Sequence, residues 1–228
     1  MASRVARADD ELSVAYRRLN AAYEQSVRYA EDVRDLYRRL QRSIGQSLLG
    51  LANALEAKDP YTRGHSERVG RWSRRIAVGM GLPAETVQTI AQAGLLHDIG
   101  KIGVPEAVLR KAGALDEREW VLMRRHPVIG SQIVAPFECL AGVAVVIRHH
   151  HERHDGSGYP DGLTGDAIPL GARIVAGADI FDALTSDRPY RAALPREAAL
   201  EHLASGAGTW LVEDVVAVAL GVFRDVGA

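Results

Sequence analysis

The run HHHERHDGSGYPDG, residues 149–162, sets three histidines beside a loop of aspartate and glycine, and the chain holds eight histidines in all. A lone histidine near a helix end is usually a surface or hydrogen-bonded core residue, so a chemical reading has to rest on a set. Such a set is present. His65 opens a helical stretch, His97 is followed by Asp98, His126 precedes Pro127, and His150 adjoins His151. Asp179 lies within the otherwise apolar AGADIFDAL, where an unpaired carboxylate is costly to bury unless a cation meets it. Imidazole nitrogens and carboxylate oxygens without thiolate suit iron, manganese or zinc and leave positions open for water or substrate.

The His97–Asp98 pair also has a geometric implication. Neighbouring residues on a helix diverge by about 100°, so one cation takes both only where the helix is ending, and Gly100 supplies an ending. A carboxylate shared by two cations about 3.5–4 Å apart is an arrangement of metal-assisted phosphoester hydrolysis. Lys101, four residues after His97, then faces the open positions as a point charge for phosphate. Read alone, HDIGK fits equally well an ordinary helix end whose lysine meets the last carbonyls. Composition alone makes DGSGYPDG a surface turn, although Gly156 and Gly158 also suit a loop that brings its backbone close to a ligand.

The elements that must position these residues read as helical almost throughout. Apolar residues at Leu12, Tyr16, Leu19, Tyr23, Ala30, Val33, Tyr37, Leu40 and Ile44 alternate by four and three, broken only at Ser26; this is a heptad seam. A helix of about 50 Å cannot bury such a stripe alone. It either folds back on the chain's own core or pairs with a second copy, and a parallel homodimer is the expectation. Further on, HSERVGRWSRRIAVGM, AETVQTIAQAGLLHD and DEREWVLMRRH read as helices, the last with Asp116 and Glu119 spaced as a capping box. Pro127 and Pro169 open two more, and PREAALEHL and VEDVVAVALGVF follow. LAGVAVVIRHH is apolar nearly all round and is expected deep in the core. The predicted class is all-α, divided at residues 1–48 and 49–228.

Composition bounds the partners. Lys and Arg total 28 against 29 for Asp and Glu, a net charge of −1, so no broad basic field exists to bind long nucleic acid. The one cysteine, Cys139, excludes an intramolecular disulfide and a multi-cysteine zinc site, and is expected to be a small buried residue. No stretch approaches the roughly 18 apolar residues of a membrane span, and the N-terminus lacks a signal-peptide core, so a cytoplasmic protein without membrane insertion is expected.

HDIGK together with HHERHDGSGYP resembles the HD-GYP domain, a bacterial subgroup of the HD metal-dependent phosphohydrolases that degrades the second messenger cyclic di-GMP. The similarity runs from Ala54 to Leu220 and takes in DPYTRGHSERV, LLHDIGKIGVPEAVLRKAG, LMRRHPVIGSQIV and ADIFDALTSDRPYR. It implies an HD-domain helical bundle behind a coiled-coil helix. It also implies that His65, His97, Asp98, His126, His150, His151 and Asp179 are the metal ligands, with Asp98 bridging. By the same resemblance Lys101 neutralises the scissile phosphate, and Tyr159, Gly158, Arg188 and Arg191 meet the dinucleotide. Some members hold a third metal through a glutamate four residues before the first ligand histidine; Tyr61 stands there. The resemblance therefore implies two divalent ions, iron or manganese, with Zn, Ni or Mg able to enter a purified sample, although Glu56 or Asp59 nearby is an acid that could contribute in place of the missing glutamate. A hydroxide activated by the two metals would cleave cyclic di-GMP to pGpG, and on to GMP. A receptor or partner-binding module, or hydrolysis of another cyclic dinucleotide, is the alternative. His149 and His154 fall outside the pattern and receive no role.

Overall fold

The computed structural model describes residues 2–56, 64–111, 113–187 and 191–224, without the side chains of residues 2–11 and 55. Among the described residues the helices are α1 (Ala2–Glu56), α2 (His65–Gly79), α3 (Ala84–Leu96), α4 (Glu106–Leu109) and α5 (Glu117–Met123), then α6 (His126–Val134), α7 (Ala141–His149), α8 (Leu170–Thr185), α9 (Arg196–Ser205) and α10 (Glu213–Arg224). A 3₁₀ turn, Ile99–Gly103, links α3 to α4. No strand occurs among them, only isolated bridge residues, including the pair Ala207 and Leu211. The class is all-α, as the helical periodicity predicts.

Local chemistry sets the helix starts. Asp116 accepts from the Glu119 amide at 2.9 Å while Glu119 accepts from the Asp116 amide at 2.8 Å, completing the expected capping box. Helices α3, α4, α8 and α9 begin directly after Pro83, Pro105, Pro169 and Pro195. Proline's missing N–H costs nothing at a start, where no carbonyl waits for it. Glu56 is used in the same way: its carboxylate accepts from the amides of Gly64 and Ser66, each at 2.8 Å, and so caps the first turn of α2. Glu56 thus serves the α2 amides; Asp59 and Tyr61 lie outside the described residues.

The chain divides into two compact units, Met1–Gln46 and Ser47–Ala228. In the first, α1 runs unbroken, and it continues through Gly45 and Gly50 to Glu56; a lone glycine costs only about 1 kcal/mol in a helix, too little to stop one of this length. Its seam is open: Leu12 and Tyr23 are each 69% exposed and Leu40 57%. In the second unit α2 packs against α3, α8 and α10, and α7 against α3, α6 and α8. Val69, Ile76, Ile90, Ile147 and Ile174 are buried there. Trp72 meets Phe181 and Phe223 edge-on, with ring centroids 5.5 and 5.1 Å away, tying α2, α8 and α10 together.

Two expectations about burial need correction. Helix α7 buries Val143, Ala144, Val146 and Ile147 but leaves Ala141, Gly142 and Val145 exposed, so it covers the core with one face rather than lying within it. Cys139 is half-buried, because it sits in the tight turn Glu138–Leu140 ahead of α7 and not on a core-facing helix. No helix among the described residues is long and apolar enough to cross a membrane.

Candidate metal centre

The seven residues predicted as ligands gather around one point, most of them at helix ends. His65 and His126 are the first residues of α2 and α6, and His97 and His150 directly follow α3 and α7. Asp98 precedes the 3₁₀ turn, and Asp179 comes from within α8. The last carbonyls of a helix have no helical partner, and three of the imidazoles use them. His97 Nδ1 donates to Gly94 O at 2.8 Å, His126 Nδ1 to Met123 O at 2.8 Å and His150 Nδ1 to Ile147 O at 2.7 Å. A carbonyl only accepts, so each Nδ1 carries the hydrogen and each Nε2 presents a lone pair inward.

That assignment leaves inward nitrogens that can only accept, with no hydrogen offered to them. His126 Nε2 and His150 Nε2 face each other at 3.4 Å, two lone pairs pointed at one another. His97 Nε2 is buried and makes no hydrogen bond. Asp98 lies between the halves: Oδ2 is 3.4 Å from His97 Nε2 and 3.9 Å from His65 Nε2, while Oδ1 is 3.4 Å from His126 Nε2. Asp179 Oδ1 is 3.3 Å from His65 Nε2 and 3.9 Å from His97 Nε2. Ligand atoms of His65, His97 and Asp98 fall within 4.8 Å of one another, as do those of His126, His150 and His151. Inward lone pairs of buried nitrogen, together with carboxylate oxygen, fit divalent cations.

The charge balance carries the same signature. Burial works against ionisation of Asp98, but the Lys101 ammonium, with His97 and His126, holds its carboxyl well below the usual range; Lys101 Nζ lies 2.5 Å from Asp98 Oδ2. Asp179 is also held down, against burial, by its hydrogen bond to His65. Burial would lower the His65 pKa, yet Asp179 and Asp182 raise it to about 10. Burial and the neighbouring imidazoles push His150 down and take His151 to about 3. Opposite shifts in one cluster are a mark of a functional site.

These shifts predict how the metal-free protein responds to pH. A histidine whose pKa rises on folding stabilises fully below about 6.5, and that contribution drains away as pH climbs through 10. Histidines held neutral by burial do the reverse, stabilising above about 6.5 and losing that contribution as pH falls toward 3. The melting temperature of chelator-treated protein is therefore expected to peak near pH 6.5 and to fall on both sides. A profile flat from pH 5 to 9 would contradict the electrostatics described here.

The GYP loop lies against this centre. Gly158 packs on the chain so tightly that a Cβ there would strike the Arg153 amide, the Glu152 Cα and the His151 carbonyl. Tyr159 N donates to His151 O at 3.1 Å, and the Tyr159 ring stacks on the His151 imidazole with centroids 4.8 Å apart. The Arg124 guanidinium sits 5.5 Å from the Tyr159 ring centroid. Arg191 donates to the Ala183 carbonyl at the end of α8, and Arg188 lies outside the described residues.

Several residues outside the predicted set hold this arrangement. Glu152, 5% exposed, accepts from the amides of Asp161 at 2.7 Å and Leu163 at 3.1 Å, clasping the loop from inside. Asp161 in turn takes two hydrogen bonds from Arg148, at 2.8 and 2.7 Å, and one from His149 at 3.0 Å. His149, left without a role, is a loop brace. The buried Asp182 takes His65 Nδ1 at 2.7 Å. In the sequence, an acid directly after a histidine pair marks Glu152, and a second carboxylate three residues after Asp179, on the same helical face, marks Asp182.

The bundle and the histidine–aspartate centre are those of an HD domain. The HD-domain family pattern matches residues 50–215, and the chain belongs to that family. Over 161 residues it is 47% identical to the cyclic di-GMP phosphodiesterase response regulator RpfG of Xanthomonas campestris pv. campestris, covering 69% of this chain and 42% of that protein. Over 149 residues it is 48% identical to the 3′3′-cGAMP-specific phosphodiesterase 3 of Vibrio cholerae, covering 64% of this chain and 32% of that protein. The chain thus spans less than half the length of either. The fold is shared with an HDG"Y"P protein from Bdellovibrio bacteriovorus, at a TM-score of 0.58 and 22% identity over 70% of this chain and 51% of that one.

Proposed function

We propose that this chain is a metal-dependent phosphodiesterase that hydrolyses cyclic di-GMP to pGpG, GMP or both. The observation that carries the reading is the pair of unprotonated nitrogens of His126 and His150, face to face at 3.4 Å, an arrangement whose electrostatic cost a cation removes. His65, His97, Asp98 and Asp179 would hold one divalent ion, and His126, His150 and His151, with Asp98 shared, the second. When bound, such ions, iron or manganese, supply Lewis acidity and lower the pKa of water.

The chain's own groups account for the rest of the chemistry. Lys101, now paired with Asp98, carries the ammonium that offsets charge developing on the phosphoryl oxygens. Tyr159, held against His151 by the loop, offers a ring face and a hydroxyl to a nucleotide, and Gly158 lets the backbone approach. Arg188 and Arg191 are assigned to the dinucleotide by the family resemblance. The exposed heptad seam of α1 supports a parallel homodimer, through which a signalling partner would act on the enzyme in the cytoplasm.

A second reading keeps the chemistry and changes the base: similarity to a cGAMP-specific phosphodiesterase at 48% identity favours 3′3′-cGAMP. Purified protein supplied with Mn²⁺ or anaerobic Fe²⁺ and either dinucleotide, followed by chromatography, separates the two. Release of pGpG or GMP from cyclic di-GMP at the higher kcat/KM supports the proposal. Faster turnover of 3′3′-cGAMP supports the second reading, and binding without turnover under every metal would mark a receptor module instead.

A further inference from the structure

His65 differs from the other buried imidazoles in what holds its outer nitrogen. His97, His126 and His150 each lean on a neutral carbonyl three residues back. His65 opens α2, as His126 opens α6, but the partner of its Nδ1 is of another kind. A carboxylate takes the carbonyl's place. Asp182 Oδ2 lies 2.7 Å from His65 Nδ1, on a residue only 2% exposed.

Asp182 is itself fixed from the other side. Arg68 Nε donates to its Oδ1 at 2.5 Å, and Arg68 Nη2 donates to Oδ2 at 3.0 Å and to Ser186 Oγ at 3.2 Å. This guanidinium supplies the counter-charge that lets the carboxylate stay buried and ionised. An ionised carboxylate only accepts. His65 must therefore keep a hydrogen on Nδ1, and Nε2, turned to Asp98 and Asp179 at 3.9 and 3.3 Å, is the nitrogen that gives up its proton to a cation; the opposite tautomer would set a lone pair against the Asp182 carboxylate.

We propose that Asp182 is a positioning residue that fixes the tautomer of His65, backing the His65–His97 half of the centre with a carboxylate that the His126–His150 half lacks. The two halves then differ in donor strength, and their cations are bound with unequal affinity. Carboxylate-backed imidazole is a stronger ligand than carbonyl-backed imidazole, and losing such a partner typically weakens metal binding by about 10–100-fold.

The inference rests on the two-metal reading above, and the test separates the two. Mn²⁺ is titrated into the chelator-treated full chain, with free Mn²⁺ read by electron paramagnetic resonance, for wild type, Asp182→Asn and Asp182→Glu. Wild type is expected to take two equivalents. Asp182→Asn should keep one affinity within about twofold and weaken the other by about 10–100-fold, and Asp182→Glu should recover part of the loss. If wild type binds no Mn²⁺, the metal-centre reading itself fails. If wild type binds two and the Asp182→Asn curve superimposes on it, or both affinities drop equally, the role given to Asp182 fails alone. A direct measurement covers an Asp182→Asn chain that does not fold: in the Zn²⁺-loaded wild type, ¹⁵N-detected imidazole spectra should place the His65 hydrogen on Nδ1. A hydrogen on Nε2 overturns the proposal.

Discussion

Asp98→Asn is expected to reduce phosphodiesterase kcat by about 1,000-fold or more while leaving the helical fold in place. The carboxylate turns one oxygen to His126 and the other to His65 and His97, so it serves both halves of the centre at once. An amide keeps the size but replaces one of those oxygens with an NH₂ group, which donates to the nearest imidazole and occupies its lone pair. It also leaves the Lys101 ammonium beside a neutral group. The bound-metal content should therefore fall together with activity, read by elemental analysis on the same preparation. Lys101→Ala provides the contrast. It should retain both metal equivalents yet lose about 100-fold in kcat, because a charge over the phosphoryl oxygens is worth roughly that much. An Asp98→Asn protein with a full complement of metal and more than a tenth of wild-type activity would refute the shared-ligand role.

Gly100→Ala is expected to damage the same centre by packing alone. A Cβ on Gly100 would run into the carbonyl oxygen of His126 and the amide and Cα of Gly130, so the 3₁₀ turn and α6 meet backbone to backbone. Nothing at that contact is a flexible side-chain tip that could swing aside. Forcing the two apart costs about 1–3 kcal/mol, which lowers the melting temperature of a chain this size by about 5–10 °C at the upper end. The displacement also separates Asp98 from His126, so metal uptake should weaken. Gly221→Ala makes the same chemical change in α10, where a Cβ meets nothing within 4 Å. It should leave metal binding untouched and raise stability by up to about 1 kcal/mol through helix propensity. Equal melting temperatures for the two variants would show that the close approach at Gly100 has no energetic weight.

Much of this architecture is written in local chemistry. Asp116 and Glu119 cap α5 from within one turn, and Pro83 and Pro169 open α3 and α8, because caps and helix starts depend on residues a few positions apart. The seven residues proposed as ligands stand out in the sequence for a different reason: helix ends and apolar surroundings single out candidates, and the resemblance carried by the spaced HDIGK and GYP segments assigns them the role. What short-range pattern cannot contain is the choice among partners far apart in the chain. Asp182 meets His65 across 117 positions, and only the packing of α8 against α2 decides that it, and not a backbone carbonyl, holds that imidazole. Glu56 could have faced the centre or the α2 amides, and the fold spends it on the amides. Residue types along the chain determined that a set of nitrogen and oxygen donors exists and that helices carry it. Tertiary structure decided which nitrogen of each histidine turns inward, since a tautomer depends on the acceptor that the surrounding helices bring to the other nitrogen.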